Sequence, residues 1–486
     1  MVELGTLPSR FKTSLFYFMK TPITNNRAWL SAPYLTGALL LIYVAVRAAV
    51  MSFTHDESLT YTILKGDKTW VFTGNHHVLN SILAKSSAQV FGYSELALRL
   101  PNVLAFAVYF YFLHRLLKQL KTPWAVLAFA LLFFNPYLLD FFSLCRGYGL
   151  GLAFSAASLF FWNKILQTGD HQPVRWALLA GILATYSNYS FFAFFFATSC
   201  AGLLLYLQAS QFRLRRRTFF DLAGGFLLLL PALWHVGELM KRNELYFGGD
   251  QGLLKDTIQT LAAKCLYEIP VDSDGTGMQI FSGFLLATLL GGAIVFLVKK
   301  GSGSLFHFIF LAFLLSLLFP VFLFHVFQVK YPMERFAIYY LPLSGLYFPA
   351  FFQEAFDGKL KKWPSWALGL CLAGLAILPF VKGANFTYTN NWKYDANTEK
   401  MLEVLAQETH DGNISLGVNP LFEPAVNYYR ETKGYGWLEK VTRESIETNK
   451  FDYVYCRLDE LGKLPGALPV ATFSETKTCL VRVVKD

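Results

Sequence analysis

The residues of this chain best suited to acid–base chemistry are Asp56 and Glu57, in the stretch Phe53–Thr60 (FTHDESLT). The stretch directly follows the first long apolar run, and a carboxylate near hydrocarbon is costly unless it has a partner or a task. Such a carboxylate could accept the proton of an attacking hydroxyl group, as a general base does. A structural explanation is also open, in which Thr54 caps a helix and both acids stabilise its first turn.

The loop after this acid pair is crowded with polar and aromatic side chains. Within twenty residues it carries Tyr61, Trp70, Asn75, His76 and His77. One histidine could bind a phosphate or a sugar, or both histidines could hold a divalent metal ion together with Asp56. They could equally be ordinary loop residues. The next segment, 78–91, is too polar to span a bilayer easily, and we expect a re-entrant or interfacial helix there.

Three basic residues farther along the chain are suited to binding phosphate. Arg146, Lys330 and Arg335 lie at the ends of apolar runs, and an arginine can bind a phosphate through two parallel hydrogen bonds. They could equally be cations that reach from helix ends to the membrane surface. Glu334 could neutralise Lys330 or Arg335. Asp140 could pair with Arg146 or serve as a second acid of the site.

The composition is that of a membrane protein. Of the 486 residues, 54% are hydrophobic and only 16% are charged, whereas soluble domains are about a quarter charged. The net charge of +10 does not indicate nucleic-acid binding, because the basic residues lie in short loops between apolar runs. The run Ser31–Met51 is too long for a signal peptide and lacks a cleavage site after it, so we expect an uncleaved first span.

We predict an α-helical polytopic membrane protein with about eleven transmembrane helices, because apolar runs long enough to cross a bilayer recur up to residue 382. The predicted spans are 31–51, 98–117, 123–139, 147–163, 175–188, 190–208, 218–237, 279–298, 305–328, 336–353 and 365–382. With a cytoplasmic N-terminus, every inside loop is short and basic, as the positive-inside rule requires. The C-terminus is then outside, and a bacterial inner membrane is the expected location.

The sequence becomes more polar after residue 384. We therefore divide it into a transmembrane domain, 1–384, and a small extracytoplasmic α/β domain, 385–486, which combines a helix-like pattern with short β-prone segments. The first outer loop is 52–97, and the long loop 238–278 could cover the site. A disulfide between Cys456 and Cys479 is permitted on the outer side of the membrane.

The order of these features resembles the GT-C superfamily of polytopic glycosyltransferases, above all the protein O-mannosyltransferases and the aminoarabinose transferases. The acid pair is followed by a histidine-containing loop and by Ser94–Asn102 (SELALRLPN), which opens the next span. Asn135–Gly149 (NPYLLDFFSLCRGYG) is similar to the second outer loop of that family. Lys330–Pro342 (KYPMERFAIYYLP) is similar to its late loop of basic and aromatic residues. The likeness covers roughly the transmembrane domain.

This resemblance implies an enzyme that transfers a sugar, with inversion, from a polyprenyl-phosphate donor to a hydroxyl acceptor on the outer face. It implies that Asp56 is the general base and Glu57 the second acid of the pair. The residues expected to bind substrate are His76, His77, Arg146, Lys330, Arg335, Tyr61 and Tyr331. No cofactor is required, although a divalent metal ion stays open. The acceptor could be a protein, a lipid or a glycan.

A membrane transporter or a flippase for a lipid-linked glycan is the competing hypothesis. It would need polar or broken spans at mid-membrane and often two matching halves. The spans here carry almost no charge at that depth, and the halves do not match. No GxxxxGK[ST], GxSxG or HExxH motif occurs, and no inside loop is long enough for a catalytic domain. A lipid-phosphate donor presented from outside is therefore favoured.

Overall fold

Apolar helices form most of the chain before residue 384. Because no water solvates backbone groups inside a bilayer, a long apolar segment must satisfy its own N–H and C=O groups, and the α-helix does so. The computed structural model describes residues 27–170, 172–211, 215–245, 247–272, 275–299, 304–356, 362–408, 413–446, 450–464 and 466–484. The N-terminal segment 1–26, predicted to be cytoplasmic, lies outside them. The described residues from Leu41 onward form one compact unit.

Fifteen α-helices are described before residue 384, and eight of them are long and apolar enough to cross a membrane. In chain order they are α1 (Arg27–Val50), α2 (His55–Leu64), α3 (Val78–Phe91), α4 (Glu95–Leu117), α5 (Thr122–Phe133), α6 (Pro136–Asp140), α7 (Gly147–Thr168), α8 (Val174–Ser187), α9 (Phe191–Ala209), α10 (Arg216–Lys241), α11 (Thr260–Leu266), α12 (Thr276–Val298), α13 (Leu305–Phe327), α14 (Tyr340–Phe356) and α15 (Lys362–Gly383). The eight are α1, α4, α7, α9, α10, α12, α13 and α15.

The predicted count of eleven spans is not confirmed. The predicted spans 123–139, 175–188 and 336–353 correspond to the shorter helices α5, α8 and α14. Helix α5 stops at Phe133 because a residue before proline avoids the helical conformation, and Pro136 follows Asn135. The Asn135 side chain instead starts α6, since its Oδ1 accepts a hydrogen bond from Leu138 N at 3.1 Å.

Small residues bring α7 and α9 into close contact. A Cβ atom added to Gly202 of α9 would lie 2.3 Å from the Trp162 ring of α7, and one added to Gly151 of α7 would lie 2.7 Å from the Phe191 ring. Small side chains allow such contacts in lipid, where no hydrophobic effect drives helices together. This close packing fixes α7, the helix that directly follows Arg146.

The residues after 384 contain one four-stranded sheet. The elements are α16 (Thr398–Glu408), β1 (Leu416–Val418), α17 (Glu423–Thr432), β2 (Tyr453–Arg457), β3 (Leu468–Phe473) and β4 (Thr478–Arg482). The strand order is β1-β2-β4-β3, with β1 parallel to β2 and the other neighbours antiparallel. Cys456 and Cys479 are opposite each other, and their sulfur atoms lie 3.7 Å apart without a bond. The disulfide stays a prediction.

This C-terminal region packs on residues of the loop 52–97. The Phe53 ring stacks on Tyr428, with ring centroids 4.1 Å apart, and Tyr61 Oη donates a hydrogen bond to Glu431 Oε2 at 2.9 Å. Phe53, Tyr61 and Tyr428 belong to one buried cluster together with core residues of the sheet. Helix α2 is therefore held by residues that lie more than 350 positions later in the sequence.

Candidate functional site

Helix α2 places its two acids in different surroundings. Glu57 caps the helix to which it belongs, because its Oε2 accepts hydrogen bonds from Thr54 N and Thr54 Oγ1, both at 3.0 Å. Asp56, the neighbouring residue, lines a cavity instead. The capping explanation therefore holds for Glu57, and Asp56 is left for a different role.

Glu57 forms a fully buried ion pair with Arg99 of α4. Arg99 Nε donates to Glu57 Oε1 at 2.8 Å, and Arg99 Nη2 donates to Glu57 Oε2 at 2.7 Å. The same guanidinium also donates to backbone carbonyls in 48–52. Glu57 Oε1 further accepts a hydrogen bond from Cys145 N at 2.5 Å. Glu57 thus ties α2 to the segment that carries Arg146, and both of its oxygens are occupied in doing so.

The Asp56 carboxylate lies beside two arginines. Its Oδ2 is 3.5 Å from Arg146 Nη2 and 3.5 Å from Arg335 Nη2, and among the described residues this oxygen accepts no hydrogen bond. Burial alone would raise the pKa of Asp56, but the charges of Arg146 and Arg335 outweigh it and hold the pKa below its ordinary value. Asp56 is therefore an ionised acceptor with one oxygen unoccupied.

Arg146 is fixed by oxygen atoms and by a tight backbone contact. Its Nη1 donates to the carbonyls of Asp56 and Asn75 at 3.2 and 3.0 Å, and its Nη2 donates to Asn75 Oδ1 at 2.6 Å. The next residue, Gly147, begins α7. A Cβ atom at Gly147 would lie 1.7 Å from the Ser187 carbonyl oxygen. Glycine alone fits there, and the contact sets where the Arg146 side chain enters the cavity.

Arg335 comes from the 3₁₀ turn Glu334–Ala337 and lies against aromatic rings. Its Cζ is 4.9 Å from the ring centroid of Trp392 and 5.3 Å from that of Phe336. At these distances the guanidinium charge interacts favourably with the ring faces. The aromatic contacts hold the charged group of Arg335 beside Asp56 without neutralising it.

Lys330 also lines the cavity, on the segment that leads to Arg335. The acid that could have neutralised either cation, Glu334, pairs with Lys264 at 3.6 Å instead. Within the described part of the chain, Lys330 forms no ion pair. The cavity is therefore lined by four cations, Arg146, Lys330, Arg335 and Arg443, and by two acids, Asp56 and Glu244.

Tyr331, predicted to bind substrate, does not line the cavity. Its ring stacks on Phe324, with centroids 4.6 Å apart. Its backbone forms two hydrogen bonds with Gly249. Tyr331 N donates to Gly249 O at 2.9 Å, and Gly249 N donates to Tyr331 O at 3.0 Å. This bridge ties the long loop 238–278 to the segment that carries Lys330. The same loop contributes Leu245 and Phe247 to the cavity wall, as a covering segment would.

His76 and His77 both line the cavity but differ in their bonding. His76 Nδ1 lies 2.8 Å from the Val71 carbonyl oxygen, to which it donates. Neither ring nitrogen of His77 makes a hydrogen bond of ordinary geometry within the described residues, although the Ser187 carbonyl is close. Burial, and then the charge of Arg146, hold the pKa of His77 well below its ordinary value. A neutral imidazole can donate and accept, which suits a sugar hydroxyl.

A metal ion shared by the histidines and Asp56 gains no support from this geometry. Among the described residues, no three histidine, cysteine or acidic side chains are grouped so that they could hold a metal ion. The Nδ1 atom of His76 is already engaged with the Val71 backbone carbonyl. Whether the protein requires a metal stays a prediction.

Two further candidates lie away from the cavity. Tyr61 is buried in the contact with the C-terminal region and does not line the cavity, so the structure gives it a packing role. Asp140 pairs with Arg47 at 2.7 Å and accepts a hydrogen bond from Tyr267 Oη at 3.0 Å. The pairing of Asp140 with Arg146 is therefore wrong, because the span before the acid pair already supplies a partner.

A cavity of about 720 Å³ connects the site residues. Its charged and polar lining includes Asp56, Asn75, His76, His77, Arg146, Lys330 and Arg335. Much of the remaining wall is apolar and belongs to membrane-spanning helices, with Leu229 and Ala232 from α10 and Phe319 and Leu323 from α13. The cavity thus fits a ligand with an anionic head and an apolar tail.

Sequence reasoning missed what the C-terminal region contributes. Trp392 contacts Arg335. Arg443 lines the cavity, with its Cζ 5.5 Å from the ring centroid of Trp70. Both residues lie in a part of the sequence whose position depends on how it packs, and no local motif marks them. Asn75 was singled out only as part of a crowded loop, and the hydrogen bonds to Arg146 give it a specific role.

The fold is shared with solved structures of membrane proteins. No protein-family model matches the sequence, and no curated protein matches it. Solved structures show that the chain, an integral multi-pass membrane protein, has the fold of the GT-C membrane glycosyltransferases. The resemblance seen in the sequence is therefore confirmed at the level of the fold.

One protein to which the chain is similar is ArnT from Cupriavidus metallidurans. The apo structure of that protein superposes with a TM-score of 0.55 at 10% identity, over 94% of this chain and 98% of that chain. Its structure bound to undecaprenyl phosphate superposes with a TM-score of 0.52 at 10% identity, over 95% and 99% of the two chains. At this identity the similarity establishes the fold alone.

Proposed function

We propose that the protein is a glycosyltransferase that takes a sugar from a polyprenyl-phosphate donor at the outer face of the membrane. The oxygen of an acceptor hydroxyl attacks the anomeric carbon, and Asp56 accepts the hydroxyl proton as general base. The new carbon–oxygen bond forms while the bond from the anomeric carbon to the phosphate oxygen breaks. The electron pair of that bond leaves with the polyprenyl phosphate, and attack from the opposite side inverts the anomeric configuration.

The two arginines supply the charge that the leaving group needs. Arg146 and Arg335 converge on Asp56 Oδ2, each at 3.5 Å. A phosphate that binds beside them would draw both guanidinium groups into bidentate contacts. Asp56 would then lose part of the positive field that lowers its pKa, and it would become a stronger base when the donor is bound. The same cations stabilise the charge that grows on the phosphate in the transition state.

The apolar wall suits the lipid part of such a donor. Leu229 and Ala232 of α10 face the cavity together with Phe319 and Leu323 of α13. These helices are long and apolar enough to cross the membrane, so a lipid chain could extend along them from the polar end. ArnT, a protein of the same fold, has been solved with undecaprenyl phosphate bound.

One observation carries the proposal: Asp56, with an unoccupied carboxylate oxygen, shares the polar end of a partly apolar cavity with two arginines. A carboxylate that only capped α2 would have supported no reaction. The competing transporter hypothesis gives Asp56 no task, since carrying a lipid-linked glycan requires no proton acceptor beside phosphate-binding cations. In the proposed orientation, residues 385–486 lie on the outer side with the site.

The variant Asp56→Asn tests the proposal directly. We expect transfer from a polyprenyl-phosphate sugar to the membrane fraction of a deletion strain to fall by at least about 10²-fold. The protein should still fold, because asparagine has nearly the same shape. Asp67→Asn is the matched control, since Asp67 is an exposed acid of the same loop that accepts a hydrogen bond from Thr69 N. Full transfer by Asp56→Asn would refute the proposed base.

A further inference from the structure

The 3₁₀ turn Asn390–Asp395, in the C-terminal region, reaches the two charged groups at the centre of the site. We propose that Asp395 and Trp392 are positioning residues, Asp395 for Asp56 and Trp392 for Arg335. The inference rests on the proposed function, because it assigns these residues a part in the same transfer reaction. It makes the C-terminal region part of the catalytic machinery rather than a separate attachment.

Asp395 holds the first turn of α2. Its side chain is fully buried, and its Oδ2 accepts a hydrogen bond from His55 N at 2.7 Å. His55 is the first residue of the helix and Asp56 is the second. A shift of the His55 backbone would therefore move Asp56 directly. An acceptor at this position also satisfies one of the free N–H groups at the helix start.

Asp395 does this without a cationic partner. Among the described residues, no lysine, arginine or histidine side chain forms an ion pair with it, and its Oδ1 accepts no hydrogen bond. Burial, the largest cause, and the charges of Asp56 and Glu57 raise the pKa of Asp395 well above its ordinary value. A neutral Asp395 can hold the His55 backbone without adding a negative charge that would repel Asp56 or a donor phosphate.

Trp392 acts on the other side of Asp56. The residue is 3% exposed, and the Arg335 guanidinium lies 4.9 Å from its ring centroid. Burial raises the pKa of Asp56, and Trp392 is among the groups that lower it, after the larger effects of Arg146, Arg335 and His55. One rigid aromatic side chain thus acts on both members of the Asp56–Arg335 pair.

The turn is itself fastened to the short helix α6. Asn390 N donates to Asp140 Oδ2 at 2.9 Å, and Asn391 Nδ2 donates to Tyr137 Oη at 3.2 Å. Asp140 is fixed by its buried ion pair with Arg47 of α1. This ion pair, which lies outside the cavity, therefore gains a role as the support on which the turn rests.

The test compares Asp395→Ala with Asp452→Ala in the full chain. Asp452 is the matched control, because its Oδ2 also accepts a backbone hydrogen bond, from Ser415 N at 2.9 Å, but at the start of β1 and β2. We expect Asp395→Ala to lower kcat by about tenfold or more, the effect of a small displacement of a catalytic group. KM for the donor should change little. Asp395→Asn, which keeps an acceptor oxygen, should recover most of the lost rate, and Asp452→Ala should leave kcat unchanged.

Hydrogen exchange provides a readout that does not depend on activity. Amides of the peptide 53–60 should exchange faster in Asp395→Ala than in the wild type. In Asp452→Ala they should exchange at the wild-type rate. Unchanged exchange and unchanged kcat in Asp395→Ala would overturn the inference, as would an equal loss of kcat in Asp452→Ala. If Asp395→Ala does not fold, kcat of Trp392→Leu is compared with kcat of Trp392→Phe. Trp392→Leu should lower kcat more than Trp392→Phe, since phenylalanine keeps a ring beside Arg335.

The parallel assay of Asp56→Asn separates the two proposals. If Asp56→Asn transfers sugar normally, the proposed function fails, whatever the Asp395 variants do. If Asp56→Asn is inactive while Asp395→Ala and Trp392→Leu keep the wild-type kcat, the positioning inference alone fails. Loss of kcat in all three, with normal transfer by Asp452→Ala, supports both.

Discussion

Glu57 and Arg99 form a two-point ion pair from which solvent is fully excluded, with nitrogen–oxygen distances of 2.8 and 2.7 Å. The pair joins α2 to α4, and through Cys145 N it also reaches the segment before Arg146. Asp56 and Arg146 therefore keep their relative position through a neighbour that does not line the cavity. Glu57 orients the site, whereas the proposed proton transfer belongs to Asp56.

Breaking this pair should destabilise the protein strongly. We expect Glu57→Gln and Arg99→Met each to cost about 3 kcal/mol or more, because each leaves a buried group without its charged partner. The double variant should lose clearly less than the sum of the two losses, since neither charge is then left alone. Thermal unfolding in detergent measures all four proteins. Strictly additive losses would show that the two residues do not act as a pair.

Removing the Arg335 charge should change the pH dependence of transfer. Burial raises the pKa of Asp56, and the charges of Arg146 and Arg335 bring it below the ordinary value of 3.8. The kcat/KM of the wild type should therefore stay constant as the pH falls from 8 to 5. The Arg335→Gln variant lacks one of the two charges that lower the pKa of Asp56, so this pKa should rise. The fall of kcat/KM on the acid side should then occur at higher pH than in the wild type.

The matched control for this pH profile is Lys330→Gln. Lys330 lines the same cavity, but it is not among the groups that shift the pKa of Asp56. The variant should weaken donor binding and leave the acid limb where the wild type has it. An identical shift in both variants would mean that a group other than Asp56 sets the limb.

Filling the apolar wall should exclude the lipid part of the donor. Ala232 is 1% exposed and lines the cavity on α10, so Ala232→Trp places a large side chain where we expect the polyprenyl chain. KM for a long-chain donor should rise by about tenfold or more, while a donor with a short chain is affected less. Leu230→Trp is the control, because Leu230 is exposed on the same helix. Equal KM values for Ala232→Trp and Leu230→Trp would show that the lipid chain does not bind beside Ala232.

The contact between Gly147 and Ser187 should tolerate no side chain. Gly147→Ala adds a Cβ atom that would lie 1.7 Å from a backbone oxygen, so α7 and Arg146 must move. We expect a loss of about 1–3 kcal/mol in stability together with weaker donor binding. Gly224→Ala, at a glycine of α10 with open space around it, should leave donor binding unchanged. Normal donor binding by Gly147→Ala would show that the contact between Gly147 and Ser187 does not position Arg146.

The order of the spans made part of the site predictable. Asp56, Arg146 and Arg335 were assigned to loops on one side of the membrane from the alternation of apolar runs and basic loops, and the structure brings them to within 3.5 Å. Long apolar segments leave the chain few choices, because they must cross the bilayer as helices. The side on which each loop lies then follows from simple alternation.

Pairings between distant charged residues were not predictable in the same way. Arg99 was seen only as one letter of a motif that opens a span, and nothing in its neighbourhood indicates Glu57 as its partner. Arg47 ends the first span, and its pairing with Asp140 follows from how the helices pack. Trp392 and Asp395 reach the site because the C-terminal region packs on α2, and such long-range packing leaves no local pattern in the sequence.

The stacking of Phe53 on Tyr428, and the hydrogen bond from Tyr61 to Glu431, have a consequence for protein engineering. A chimaera that receives a foreign segment after residue 384 would confront these loop residues with mismatched neighbours. Exchanging residues 53–61 together with the C-terminal graft would keep the matched surfaces intact. Natural variation in residues 53–61 and in the residues after 384 should, for the same reason, be correlated.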